Sequence, residues 1–215
     1  MDIKALTAAA ERHARAILDA GPGSHGWDHT ERVVALARHI GEREGADLTV
    51  IELAALLHDI ARPEESAARG GVDHARRGAQ MAAEFLSGLG AEPRLVEAVC
   101  HCIESHRFRG SVAPQTPEAR VLFDADKLDS LGAVGIGRAF LFAGEVGARL
   151  HNEELEIAET DAYSREDTAW REFRLKLSRI KGRLLTAEGR RLAAGRHRFM
   201  SAFFRRLSLE VRGEV

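Results

Sequence analysis

Residues 53–59 read LAALLHD, an apolar helical run that ends in the adjacent pair His58-Asp59. Aliphatic residues could have continued this helix into the core, but the run places an imidazole beside a carboxylate instead. Burying these two groups costs several kcal/mol unless something pairs with them. A divalent cation is the partner that suits both side chains. The pair therefore predicts a metal site at the end of a buried helix.

Two further residues, one on each side of this pair, complete a candidate ligand set. His29 follows the tripeptide GWD, and Asp126 lies within residues 124–129, which read DADKLD. Two imidazoles and two carboxylates form a mixed nitrogen and oxygen set that suits manganese, iron, cobalt or nickel, while zinc and magnesium stay open. A cation in such a site can bind a phosphate oxygen and activate a water molecule. The set therefore predicts hydrolysis of a phosphoester or phosphoanhydride.

Length and composition predict a single domain spanning residues 1–215. The chain has 215 residues, of which 45% are hydrophobic, and this is enough for one sizeable core. A formal net charge of -2 gives no overall reason to bind nucleic acid or an anionic membrane. The two cysteines, Cys100 and Cys102, would lie about 200° apart on a helix, so we expect free thiols. Without a signal-peptide core or a run of ~20 apolar residues, we expect a soluble, cytoplasmic protein.

Helical periodicity runs through nearly every segment, and no alternating pattern of β-branched residues competes with it, so we predict an all-α fold. The first helix carries an apolar face and ends at the turn of residues 21–23 (GPG). A second helix opens at His29. Residues 49–52 (TVIE) have the form of a capping box and predict the start of the third helix. Pro63 is expected to end that helix near Arg62, which would place His58 and Asp59 in its last turns.

Further capping signals predict the remaining helices. Asp73 is expected to cap a fourth helix, Pro93 to open a fifth, and Thr116 to cap a sixth that carries Asp126. A looser helix follows Gly132. Residues 151–163 are expected to form a mobile loop that serves as a lid or an interface element.

The C-terminal part of the chain is expected to add two amphipathic helices. Residues 164–167 (SRED) are expected to cap the first, whose inward side chains are Trp170, Phe173, Leu177, Ile180 and Leu184. This apolar face could also support a homodimer. The last helix is expected to start near Thr186 and to continue through Leu192, Phe199, Phe203 and Leu207.

The residues His29, His58-Asp59 and Asp126 match an H...HD...D signature, and the chain resembles the HD-domain metal-dependent phosphohydrolases. The motif-level match covers residues 24–137. Residues 24–33 (SHGWDHTERV), 124–136 (DADKLDSLGAVGI) and 194–200 (AGRHRFM) resemble the small bacterial HD hydrolases of the YedJ/YpgQ type more closely still. The resemblance implies an HD-domain helical bundle with additional C-terminal helices at about 164–212, a divalent metal, and hydrolysis of a phosphorylated small molecule. The nearer group suggests a (deoxy)nucleoside triphosphate that is cut to a monophosphate and pyrophosphate.

The same resemblance implies four metal ligands: His29, His58, Asp59 and Asp126. Asp124 and Asp129 compete with Asp126 for the last position. On a helix Asp124 points about 200° away from Asp126, whereas Asp129 lies about 300° on and thus on a similar side. We therefore rank Asp126 first and expect Asp129 to support a ligand or to contact the substrate.

Catalytic and substrate-binding candidates lie near the HD pair. One branch of HD nucleotidases uses a glutamate three positions after the HD aspartate to orient the attacking water, but this chain has Arg62 there. Glu64 or Glu65 is then the candidate for this role beside Asp59, and Arg62 is a candidate phosphate ligand. Further candidates for phosphate contacts are Arg32 and Lys127.

Three histidines lie between the HD pair and Asp126, where two-metal HD proteins carry additional ligands: His74, His101 and His106. One metal is our default expectation. His74 and His106 are the better candidates for a second metal site or for phosphate contacts. A Gly-Tyr-Pro element is absent from the sequence, so cleavage of cyclic dinucleotides is not expected.

Three functions are compatible with these residues. The first is a nucleotide phosphohydrolase. The second is a phosphodiesterase or pyrophosphatase for a signalling nucleotide such as guanosine tetraphosphate. The third is a binding module that senses a metal and a nucleotide without turnover. The filled ligand positions and the lack of an attached output domain favour the enzyme.

Overall fold

The computed structural model describes residues 2–19, 26–68, 71–107, 110 and 112–215. Every regular element within these ranges is helical, so the predicted all-α fold is confirmed. The chain separates into two compact units: residues 1–126 with 185–188, and residues 127–184 with 189–215. The single domain stays a prediction. The turn predicted at residues 21–23 lies outside the described residues.

The first unit is built around a short apolar helix. Its elements are α1 (Ile3–Leu18), α2 (Trp27–Glu44), α3 (Leu48–Leu57), α4 (Arg62–Ala67), α5 (His74–Gly88), α6 (Pro93–Ser105) and most of α7 (Pro117–Asp129). Helix α3 packs against α1, α2 and α6, and its aliphatic side chains from Val50 onward are buried. Gly41 allows α2 to lie close to α3, because a Cβ atom there would come within 2.6 Å of Ile51 Cδ1. The apolar residues 53–57, which the sequence predicts to be buried, therefore lie at the centre of this unit.

Two predicted boundaries of α3 are wrong. The helix begins at Leu48 rather than at a capping box, because the Asp47 carboxylate accepts hydrogen bonds from the amides of Thr49 and Val50. It also ends earlier, at Leu57, and Pro63 lies in the first turn of α4, where a proline needs no amide donor. The HD pair therefore lies in the turn between two helices rather than inside one.

Other capping predictions are confirmed. Asp73 accepts hydrogen bonds from the first amides of α5, Pro93 opens α6, and the Thr116 hydroxyl accepts from the amide of Ala119 at the start of α7. Both cysteines are free, as predicted. None of the described helices combines the length and the apolar character that a membrane span needs. The cytoplasmic location stays a prediction.

The second unit contains α8 (Gly132–Glu145), α9 (Ala169–Glu172), a π-helical turn (Phe173–Leu177), α10 (Ser178–Ile180), a 3₁₀ turn (Lys181–Arg183) and most of α11 (Ala187–Val211). The cap of α9 is Thr168, whose hydroxyl accepts from the Arg171 amide, so the cap predicted at residues 164–167 is wrong. Phe199 is 55% exposed, whereas Met200 and Phe204 are fully buried.

The apolar side chains predicted for the first C-terminal helix are all buried: Trp170, Phe173, Leu177, Ile180 and Leu184. They therefore belong to the core and do not supply the dimer face suggested from the sequence. A homodimer stays a prediction. Residues 151–163 are irregular apart from a 3₁₀ turn, but Asn152 and Thr160 tie them to residues 166–171. A role of this stretch as a lid or an interface element stays a prediction.

Candidate metal centre

Five helices of the first unit carry polar side chains to one buried location. The contributors are His29 in the first turn of α2, His58 and Asp59 just after α3, His74 at the start of α5, His106 just after α6, and Asp126 within α7. None of the six is more than 8% exposed. Helix ends converge here, so residues far apart in the sequence become neighbours.

Three of these residues, His29, His58 and Asp126, form a group that we call the first trio. His29 Nε2 lies 3.3 Å from His58 Nε2 and 3.4 Å from Asp126 Oδ1. One ligand atom from each residue lies within 4.8 Å of the other two. A metal ion binds imidazole nitrogen and carboxylate oxygen at about 2.0–2.2 Å, so a single ion can bridge atoms at these separations. The first trio therefore fits a metal site.

Hydrogen bonding prepares His58 as a ligand. Its Nδ1 lies 2.8 Å from the carbonyl oxygen of Ala55 and donates to it, which leaves the Nε2 lone pair directed at the trio. Burial lowers the pKa of His58 to about 4, because a charged imidazole loses its hydration there. The imidazole is therefore neutral at physiological pH, which is the form that binds a metal.

Asp59, His74 and His106 form a second group of the same kind, the second trio. Asp59 Oδ1 lies 3.7 Å from His74 Nε2 and 3.6 Å from His106 Nε2. His106 Nδ1 donates to the carbonyl oxygen of Ile103 at 2.6 Å, as His58 does to its own helix. Within the described part of the chain, the Nε2 atoms of His74 and His106 are buried without a hydrogen-bond partner. Burying a polar atom without a partner costs free energy. The positions of these two nitrogens therefore indicate a ligand-binding site rather than a role in packing alone.

Asp59 joins the two trios through its two carboxylate oxygens. Its Oδ2 atom lies 3.7 Å from His29 Nε2 and 3.6 Å from His58 Nε2, on the side of the first trio. Its Oδ1 atom faces the second trio. The Asp59 carboxylate can therefore supply a ligand atom to either trio. This makes Asp59 the residue that connects the two groups.

Arg62 and Glu65 form an ionic network beside the second trio. Arg62 Nε donates to Asp59 Oδ1 at 3.1 Å, and Arg62 Nη1 donates to Glu65 Oε2 at 2.8 Å. Glu65 Oε2 also lies 3.0 Å from His74 Nδ1, although this contact is not aligned as a hydrogen bond. Burial raises the pKa of Glu65, but the contacts with His74 and Arg62 outweigh it and lower the pKa. Glu65 is therefore ionised.

Several candidate residues have other partners. Glu64 is exposed and pairs with Arg77 of α5 at 2.8 Å, so it points to the surface rather than into the cluster. His101 Nε2 accepts a hydrogen bond from the backbone amide of Gln115, which gives it a role in holding a loop. Arg32 pairs with Asp28 at 2.7 Å along α2.

Asp124, Lys127 and Asp129, the polar residues next to Asp126 in the sequence, belong to different units. Asp124 accepts hydrogen bonds from the amides of Leu185 and Thr186 and from the Thr186 hydroxyl, so it anchors a distant segment of the first unit. Asp129 belongs to the second unit, where Arg138 Nη1 donates to its Oδ2 atom at 2.8 Å. Lys127 also belongs to the second unit.

Sequence reasoning missed the ion pair between Asp59 and Arg62 and its continuation to Glu65. The spacing could have predicted these contacts. Positions 59, 62 and 65 follow one another at intervals of three, and this spacing brings side chains together on a helical turn. The structural use of Asp124 had no such signal. Its partners lie about sixty positions away in the sequence.

Comparison with known proteins identifies the class of this fold and site. The sequence model of the HD domain family matches residues 26–131, a range that contains the whole cluster. A relative with 36% identity over 203 residues covers 93% of this chain. The chain therefore belongs to the HD-domain family, and it is a hydrolase of the HD superfamily, as the sequence predicted.

The relative is YpgQ of Bacillus subtilis (strain 168), of which the alignment covers 90%. Its crystal structure matches this chain with a TM-score of 0.78 and 31% identity, covering 100% of both chains. A structure of YpgQ in complex with ADP gives a TM-score of 0.76 at 31% identity, covering 98% of this chain and 97% of that one. An HD-superfamily hydrolase from Bacillus thuringiensis gives 0.77 at 26% identity, with 98% and 99% of the two chains covered.

Proposed function

We propose that this protein is a metal-dependent phosphohydrolase that cleaves a (deoxy)nucleoside triphosphate into a monophosphate and pyrophosphate. The observation that carries the proposal is the first trio, in which His29, His58 and Asp126 present imidazole nitrogen and carboxylate oxygen atoms to one buried point. The ADP bound to YpgQ supports a nucleotide as the substrate class.

The proposal assigns the metal to the first trio, with Asp59 Oδ2 as the fourth protein ligand. This mixed nitrogen and oxygen set favours manganese, iron, cobalt or nickel, and it also accepts magnesium or zinc. When bound, such an ion supplies a Lewis acid for a phosphate oxygen and lowers the pKa of a coordinated water.

The residues around the ion have complementary tasks. Burial of His58 keeps its imidazole neutral and so available as a ligand. Asp59 lies between the trios, with Oδ2 directed at the first and Oδ1 at the second. Arg62, at 26% exposure, supplies a positive charge close to the cluster that can stabilise a phosphate group. Arg107 pairs with Asp73 at 2.8 Å next to His106 and is placed to add to this charge.

The test is a product analysis on a panel of nucleotides with added manganese. We expect a triphosphate to yield monophosphate and pyrophosphate in equal amounts. His58→Ala should remove this activity, because it deletes a ligand of the first trio. His101→Ala is the matched control, since this histidine binds a loop amide and should leave the rate within about twofold.

Each alternative has its own outcome in this experiment. Tight nucleotide binding without release of any product would overturn the enzyme and favour a sensor. Preferential turnover of guanosine tetraphosphate would overturn the triphosphate assignment and favour a signalling-nucleotide hydrolase. Equal activity of wild type and His58→Ala would overturn the metal assignment.

A further inference from the structure

We propose that Arg62 limits this centre to one metal ion, by holding a positive charge at the carboxylate oxygen that a second ion would need. The inference rests on the proposed function only in taking the first trio as the site of the first ion. It concerns how many ions the cluster binds, whatever substrate is cleaved.

The second trio has the ligands of a metal site. Asp59, His74 and His106 each offer one ligand atom within 4.8 Å of the other two, and all three are buried. The Nε2 atoms of the two histidines lack hydrogen-bond partners among the described residues. By ligand type and separation alone, this group is as suitable for a divalent ion as the first trio.

The difference lies at Asp59 Oδ1. This oxygen is the carboxylate atom that faces His74 and His106, at 3.7 and 3.6 Å. The Nε atom of Arg62 lies 3.1 Å from the same oxygen. An ion ligated by Oδ1 would therefore lie beside a guanidinium group. Repulsion between the two positive charges is strong at such short range in a poorly hydrated site.

Arg62 cannot easily move aside, because its second nitrogen is also engaged. Its Nη1 atom donates to Glu65 Oε2, and the other oxygen of Glu65 lies 3.5 Å from Arg107 Nη2. Moving the guanidinium would break both carboxylate contacts. A guanidinium group keeps its proton in proteins, so this positive charge is permanent.

The experiment counts metal ions. Purified protein is saturated with manganese, freed of excess ion by gel filtration, and measured by elemental analysis. Electron paramagnetic resonance then distinguishes isolated Mn²⁺ from spin-coupled pairs. We expect one uncoupled ion per wild-type chain. Arg62→Met, which keeps an unbranched apolar stem without the charge, should bind two ions with a spin-coupled signal.

Two matched substitutions separate charge from other effects. Arg62→Lys retains a positive charge and should bind one ion. Arg77→Met removes a different arginine, which pairs with Glu64 at the surface, and should also bind one ion. The double variant Arg62→Met with His74→Ala should return from two ions to one, because it loses a ligand of the second trio.

The outcomes that would overturn the inference are direct. A folded Arg62→Met variant that binds one ion would do so, with folding checked by circular dichroism. Should that variant not fold, His74→Ala alone decides the matter. We expect it to bind one ion, as the wild type does, whereas two ions in the wild type and one in His74→Ala would overturn the inference. A wild-type protein that binds no ion would instead overturn the proposed function.

Discussion

The two trios beside the HD pair contain the same ligands, two histidines and one aspartate each, and both are buried. They differ in their surroundings, because the carboxylate oxygen of the second trio is already paired with Arg62. Ligand identity and spacing alone therefore do not determine how many ions such a cluster holds. A fixed charge on a neighbouring turn decides between two groups that would otherwise be equivalent.

The largest effect is expected from Asp59→Asn, which removes the carboxylate shared by the trios. We expect the metal content to fall below stoichiometry and kcat to fall at least about 100-fold, because even the partners of metal ligands contribute 10–100-fold. Elemental analysis and steady-state kinetics measure both. Asp73→Asn is the control, since asparagine also caps helices well. Full metal content and an unchanged kcat in Asp59→Asn would show that the two trios do not depend on a shared carboxylate.

A second prediction concerns pH, because the first trio needs a neutral His58. His58 has its usual pKa of 6.5 in the unfolded chain and a pKa of about 4 in the native protein. At pH values between these two, the unfolded chain binds a proton that the native imidazole does not. Stability of the metal-free protein should therefore fall as pH decreases through this range, by about 3 kcal/mol from this group. Urea denaturation at several pH values measures the slope. His58→Gln should show a shallower slope, and equal slopes would contradict the assignment.

His106→Ala tests the second trio directly. We expect the metal content to stay at one ion per chain while kcat falls about tenfold, because the His106 ring packs against Asp59 on the side away from the ion, with Nε2 3.6 Å from Oδ1. Elemental analysis and kinetics on the same sample separate the two effects. Loss of the ion in this variant would mean that the trios do not act as separate groups.

The smallest effect is expected from Glu64→Gln. Its side chain is exposed and pairs with Arg77, so kcat should change by less than about twofold. Glu65→Gln should have the larger effect, because Glu65 contacts both Arg62 and His74. The ratio of the two kcat values is the measurement. Equal losses in both variants would show that proximity to the second trio does not matter.

Much of the site follows from the sequence, since metal chemistry demands particular residue types. His29, His58 and Asp126 were chosen as ligands, and the structure brings these three together. The helix caps at Asp73 and Thr116 could also be predicted, because capping depends on a few adjacent residues.

The phase of a helix was harder to predict. The structure directs Glu65 toward His74 and Glu64 toward Arg77, and a sequence reading cannot choose between two adjacent glutamates without knowing where α4 starts. Because α3 was expected to continue to Pro63, the start of α4 was missed.

The inward face of α11 could not be predicted from the sequence either. Phenylalanines at 199, 203 and 204 are compatible with two inward faces that differ by one position, about 100° of rotation. Tertiary packing selects the face that contains Met200 and Phe204. The sequence pattern alone does not distinguish the two.

The hydrogen bonds of Asp124 to Leu185 and Thr186 have a consequence for biosynthesis. Asp126, two residues further on, lies on a helix whose anchor is supplied by a segment translated some sixty codons later. A nascent chain that has emerged only as far as α8 contains every ligand of the centre but lacks these donors. A product truncated before residue 185 therefore lacks this anchor of the helix that carries Asp126.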